Sequence, residues 1–76
     1  QSEVNTSKGR LDCILFAPKQ IFIIEFKVDE SAEKALAQIN EKGYAEPYRT
    51  DGRPIVKIGV NFSSEERTIE GWKVEE

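Results

Sequence analysis

The sequence predicts an α/β fold, equally describable as α+β: a small mixed β-sheet with one crossover helix, in the order β-β-β-α-β-β. Three observations predict it. Short apolar runs rich in Ile, Val and Phe recur at strand length. A single stretch, Ala32-Glu33-Lys34-Ala35-Leu36-Ala37-Gln38-Ile39, carries its apolar residues at helical spacing. That stretch lies between two apolar runs at the distance a parallel crossover requires, while the two runs before it are close enough for a hairpin.

Taken in order, Ser2 to Thr6 reads as a short opening strand and Ser7-Lys8-Gly9 as a turn, where Gly9 supplies positive φ at little cost. Leu11 to Ala17 is the second strand, Pro18-Lys19 the next turn, and Ile21 to Val28 the third strand. Asp29 and Ser31 offer N-caps for a helix running to about Lys42, and Gly43 is its natural stop. Tyr44 to Arg53 is a polar loop with turn signals at Pro47 and Asp51-Gly52. Pro54 to Phe62 and Arg67 to Val74 complete the sheet. The helix covers one face. The other, taken here to be the face of Ile21 and Ile23, is expected to lack cover, and a missing helix or partner domain belongs there.

Composition narrows the chemistry. Seventy-six residues make one domain with a thin core. The chain has one cysteine and no histidine, which excludes an internal disulfide, a Ser-His-Asp triad and a zinc site of the usual kind. What remains is carboxylates, lysines and a cation that prefers oxygen. A net charge of −3 argues against a strong sequence-independent grip on nucleic acid by this chain alone. No window approaches the roughly 20 apolar residues of a membrane span, and no signal-peptide pattern opens the chain, so a cytoplasmic location is expected. The start at Gln1 suggests a processed or excised fragment, and the sequons at Asn5 and Asn61 read as chance matches.

The informative detail is where charge interrupts the strands. Alternation puts Glu25 and Lys27 on one face of the third strand, and Arg10, Asp12, Ile14 and Phe16 on one face of the second. Closing the hairpin on a four-residue turn, Ala17 to Gln20, pairs Phe16 with Ile21, Ile14 with Ile23, Asp12 with Glu25 and Arg10 with Lys27. Like charges directly opposite one another are destabilising unless they share a proton or bind a cation. Mg²⁺ uses one or two carboxylates and keeps several waters. Lys27, on the same face, can offset negative charge developing on phosphate. The bland alternative is that charges near strand ends are solvated.

Other residues have ordinary readings beside the functional ones. Arg10 contacts phosphate or makes a surface salt bridge. Gln38 flanks the apolar stripe of its helix, which favours a buried hydrogen bond over an exposed amide. Tyr44 and Tyr48 suit core and loop packing better than base stacking. Trp72 reads as a lid on the core, and Cys13 as a small buried apolar residue.

Gly9-Arg10-Leu11-Asp12 followed by Ile23-Ile24-Glu25-Phe26-Lys27-Val28 resembles the G-R-x-D and I-E-x-K motifs of PD-(D/E)XK nucleases. Ala35-Leu36-Ala37-Gln38-Ile39, Gly43-Tyr44-Ala45 and Ile58-Gly59-Val60-Asn61-Phe62 extend the likeness over nearly the whole chain. It is similar to a bacterial branch in which such a domain follows an ATPase-like domain at the C-terminal end of a longer protein. The resemblance implies a restriction-endonuclease-like core lacking its first helix. It implies a metal, Mg²⁺ with Mn²⁺ as substitute, held by Asp12, Glu25 and the Phe26 backbone carbonyl, with Lys27 positioning water or stabilising the transition state. Gln38 and Tyr44 would support the site, although Tyr44 follows at a longer spacing than the family's usual motif. Glu3 matches the family's N-terminal glutamate only from a strand-like stretch.

The resulting expectation is a single domain, residues 1–76, that hydrolyses phosphodiester bonds of nucleic acid, DNA in particular. The rival reading is a non-catalytic interaction or regulatory module attached to an ATPase. An uncovered sheet face favours a homodimer.

Overall fold

The computed structural model describes the backbone of residues 2–7 and 10–76 and the side chains from Cys13 onward. The Lys8-Gly9 turn therefore lies outside the described residues. Five strands form one sheet in chain order: β1 (Ser2–Ser7), β2 (Arg10–Phe16), β3 (Ile21–Val28), β4 (Ile55–Ser63) and β5 (Thr68–Glu75). Only β3 and β4 run parallel; the other neighbours are antiparallel. The parallel pair is joined by helix α1 (Ala32–Lys42), as the long β3–β4 connection requires. Among the described residues no helix is long and apolar enough to cross a membrane.

The ends of α1 follow their local chemistry. Ser31 is the N-cap and its hydroxyl accepts from Lys34 N at 3.1 Å. Gly43 closes the helix in the left-handed conformation at φ 67°, its N–H returning to the carbonyls of Asn40 and Ile39. The polar loop that follows is more ordered than its composition suggests, for Glu46–Tyr48 forms a 3-10 turn. Arg53 then ties the loop to the β2–β3 turn: it bonds Asp51 at 2.6 Å and the Ala17 carbonyl at 2.8 Å. Its guanidinium also lies 5.9 Å from the Phe16 ring centre, and Phe16 meets Tyr48 edge-on.

The helix covers the face that carries Ile21, Ile23 and Glu25, which corrects the expectation that this face is bare. The core there is Ile23, Ile39 and Ala45, with Ile14, Leu36, Tyr44, Tyr48 and Ile55 packed against it. Alternation alone leaves open which face a helix chooses; the glycine in β4 decides it. A Cβ at Gly59 would collide with the Ala32 carbonyl oxygen and lie 2.6 Å from Leu36 N. The backbone of α1 therefore rests directly on the sheet at this one position.

The bare face is the opposite one. Register lays it out in apolar rows: Cys13, Ile24, Ile58 and Val74; Phe26, Val60 and Trp72; Leu15, Phe22 and Val56; Val28, Phe62 and Ile69. Trp72 is no core lid, being 68% exposed on this face. Cys13 shares the face and is half-buried rather than buried.

Candidate active site

The hairpin register places Asp12 directly opposite Glu25, with Ile14 opposite Ile23 and Phe16 opposite Ile21. A tight turn sets it, closed by Ala17 N donating to Gln20 O at 2.9 Å. Direct antiparallel partners share a face, so positions 12 and 25 belong to the helix-covered side. The side chains of Asp12, Arg10 and Glu3 lie outside the described residues. Their backbone places Glu3 opposite Ile14 and Arg10 opposite Ser7. Among the described side chains no group of three His, Cys, Asp or Glu converges.

Glu25 is fully buried at 0% exposure, the only charged group among the largest buried side chains of the described residues. Its partner on the parallel side is Gly59, where the helix presses closest. The same contact that closes the core thus seals the carboxylate from solvent. Burying a carboxylate is costly unless it is paired, hydrogen-bonded or holds a cation. Lys27, two residues on, is half-buried on the same face and makes no ion pair among the described residues.

Beside Lys27 stands Asn61, its register partner on β4 and 4% exposed. The Asn61 amide is held at both ends. Its oxygen accepts from Glu30 N at 2.9 Å, and its nitrogen donates to the Glu70 carboxylate at 3.0 Å. A β-bulge at Asn61/Phe62 turns Glu70 toward it. Asp29, in the left-handed region at φ 56°, accepts from Ser64 N at 3.0 Å and from the Ser64 hydroxyl. Those bonds hold the Asp29 carboxyl below its ordinary value of 3.8. The segment leaving Lys27 is therefore pinned to β4 and to the β4–β5 turn. A cleft of about 260 Å³ opens here, lined by Glu30, Ala32, Asn61, Glu70, Gly71 and Lys73 among others. It lies at the carboxyl ends of the parallel strands, where open α/β sheets bind ligands.

Of the expected supporting residues, Tyr44 packs against the Ile23–Ile39–Ala45 cluster. Gln38 is half-buried on the flank of α1 and makes no side-chain hydrogen bond among the described residues, in place of the buried bond anticipated for it. Asn61 and Gly59 lie in the Ile58–Phe62 stretch that extends the family likeness, but the sequence reading gave neither a role at the site. Their signal was present: both interrupt the apolar β4 at alternate positions, on the face shared with Glu25 and Lys27.

A mixed α+β sheet with Asp12 and Glu25 at facing positions of one hairpin and a lysine two residues on has the form of a restriction-endonuclease-like core. Comparison makes the assignment: the model of the PD-(D/E)XK nuclease superfamily matches residues 1–72, and the chain belongs to that superfamily. It is 43% identical over 72 residues to a protein of Azotobacter chroococcum mcd 1 described as "Uncharacterized protein in vnfD 5'region". That match covers 92% of this chain and 14% of the relative, so the chain spans about one-seventh of the relative's length. No solved structure matches.

Proposed function

We propose that this chain carries the catalytic centre of a metal-dependent nuclease that hydrolyses phosphodiester bonds in nucleic acid, DNA in particular. The observation that carries the reading is the cross-strand pairing of Asp12 with Glu25, with Lys27 on the face of the buried Glu25 carboxylate. Two carboxylates on adjacent strands are a hard-oxygen donor set, which fits Mg²⁺ and accepts Mn²⁺. Asp12, Glu25 and the Phe26 carbonyl would hold the ion, which when bound lowers the pKa of water and polarises the phosphoryl oxygen.

The chain's own residues do the rest. Glu25 is kept dry by α1, so charges placed beside it interact strongly. Lys27 has no competing ion pair among the described residues and meets the negative charge that builds on the phosphoryl oxygens. Asn61 keeps the Glu70 carboxylate occupied one position away from it. The acidic balance of the chain, −3, leaves the grip on the phosphate backbone to the cation and to further parts of a longer protein. In bacterial proteins of this kind an ATPase-like domain of the same polypeptide is the partner we favour.

Calorimetric titration of Mn²⁺ and Mg²⁺ into the native chain, Asp12→Ala and Glu25→Ala tests the reading. One ion bound by the native chain and none by either variant supports it. A folded native chain that binds no ion at millimolar concentration overturns the catalytic reading, and a non-catalytic module replaces it.

A further inference from the structure

Glu25 has no surface that water can reach: neither of its carboxylate oxygens is open to solvent. A hard cation that uses this carboxylate keeps several waters of its own, each about 2.1 Å from the metal. That shell has no room beside Glu25 in the chain as it is folded. Few parts are free to give way. Glu25 is paired on one side with Asp12 on β2 and on the other with Gly59 on β4, so the sheet fixes both flanks. The cover is α1, whose Ala32 carbonyl and Leu36 N press closest over Gly59.

That helix is held unevenly. Its second half is bolted down: Ile39 is buried at the centre of the core, and Asn40 accepts from Lys57 Nζ at 2.6 Å and donates to Glu75 at 3.2 Å. Its first half faces the sheet with Ala32 and Ala35, the smallest apolar side chains, and only Leu36 reaches the core beside them. Glu33 pairs with Lys73 at 3.6 Å, but both are exposed, and such pairs contribute little. The cleft of about 260 Å³ borders the same half at Ser31, Ala32 and Glu33, so there is open space next to it. Just before it, Glu30 and Asp29 stay tied to Asn61 and Ser64. The ends of this stretch are therefore fixed and its middle is weakly held, the condition under which a segment opens locally.

We infer that the first two turns of α1 are a lid over Glu25, and that the chain takes its cation only with this lid lifted. The inference rests on the metal reading of Asp12 and Glu25 and adds a closed resting state to it. Because the waters of the ion need the space that the helix fills, a bound cation and a closed lid exclude one another. Binding shifts the chain toward the lifted form, and the apparent affinity is reduced by the fraction of chain that is open.

Amide hydrogen exchange with and without saturating Mg²⁺ tests it, beside calorimetry of the native chain and Ser31→Ala. Mg²⁺ is expected to speed exchange at the Ala35 and Leu36 amides while that at Asn40 stays unchanged, whereas a ligand that merely tightens the fold slows all three. Ser31→Ala removes the cap that holds the lid's first turn and touches no proposed ligand. Its lid lifts more easily, so it is expected to bind Mg²⁺ more tightly than the native chain, by up to about 30-fold when the whole cost of the lost cap falls on the closed form. An ion bound with exchange at Ala35 and Leu36 unchanged or slowed, or bound no more tightly by a folded Ser31→Ala, overturns the lid and leaves the metal reading standing. If neither the native chain nor Ser31→Ala binds an ion, the metal reading falls and the lid falls with it.

Discussion

Gly59→Ala is the smallest change with the largest expected consequence. The added methyl would meet the Ala32 carbonyl oxygen and lie 2.6 Å from Leu36 N and 3.1 Å from the Ala35 Cβ. Two of these are backbone atoms, which cannot rotate away. Relief requires α1 to lift from the sheet by about 1 Å, and a gap of that size already forfeits a quarter to a half of the dispersion attraction across it. The side chains that lose contact are Ala32, Ala35 and Ile39, all buried. A fully buried aliphatic side chain contributes about 1.5–3 kcal/mol, and overpacking itself costs about 1–3 kcal/mol. A loss of about 2–4 kcal/mol follows. A domain of this length has about 4–11 kcal/mol in total, so the variant keeps its fold with a much lower urea midpoint.

The same lift unseals Glu25, the register partner of Gly59. Urea unfolding followed by circular dichroism measures the first effect, and the metal titration the second. A midpoint within error of the native chain would mean that the close helix–sheet contact does not hold the core together, and the account of why Glu25 is buried would fall with it.

Other expectations follow the same network. Lys27→Ala is expected to lower kcat by about 10²–10³-fold with stability little changed, as removal of one transition-state charge partner does; single-turnover cleavage by the longest soluble form of the protein measures it. Ser31→Ala removes the α1 cap and should cost about 0.5–2 kcal/mol by denaturant titration. Asp29 has a depressed folded-state pKa because of Ser64, so its contribution is present above the unfolded value near 3.8 and is lost as pH falls through the lower folded value. Asp29→Asn tolerates the left-handed backbone and should flatten the acid limb of a stability profile below about pH 4; an unchanged limb contradicts the assignment.

Much of the fold was legible because its signals are local. The alternation in Ile21–Val28, the Ser31 cap and the Gly43 stop each act within a few residues, and each element formed close to its expected bounds. The Asp12–Glu25 register was legible because a tight turn leaves a hairpin one way to close. The face that α1 covers was not. It depends on the contact at Gly59, between residues more than 20 positions apart, and the spacing of apolar residues is the same whichever side the helix takes. Trp72 was misplaced for a related reason: a large aromatic in a strand is usually buried, but β5 is an edge strand whose apolar side faces the uncovered surface.

Asn61 shows how the site is joined to the fold. Its amide bridges Glu30, just past β3, and Glu70, on β5, while its backbone pairs with Lys27. Removing the side chain leaves the Glu30 N–H without its acceptor in a half-buried place, a loss of about 1–3 kcal/mol. It also frees Glu70 to turn toward another cation, Lys73 along the same cleft or Lys27, the register partner of Asn61. An anion drawn to Lys27 competes with the phosphate that the proposed chemistry needs there. Asn61→Ala should therefore weaken both the fold and the reaction, whereas Asn61→Ala combined with Glu70→Gln should recover activity without recovering stability. Hydrogen exchange at the Glu30 amide reports the first effect and single-turnover cleavage the second. If the double variant is as inactive as the single one, Glu70 does not compete for Lys27, and Asn61 acts on the fold alone.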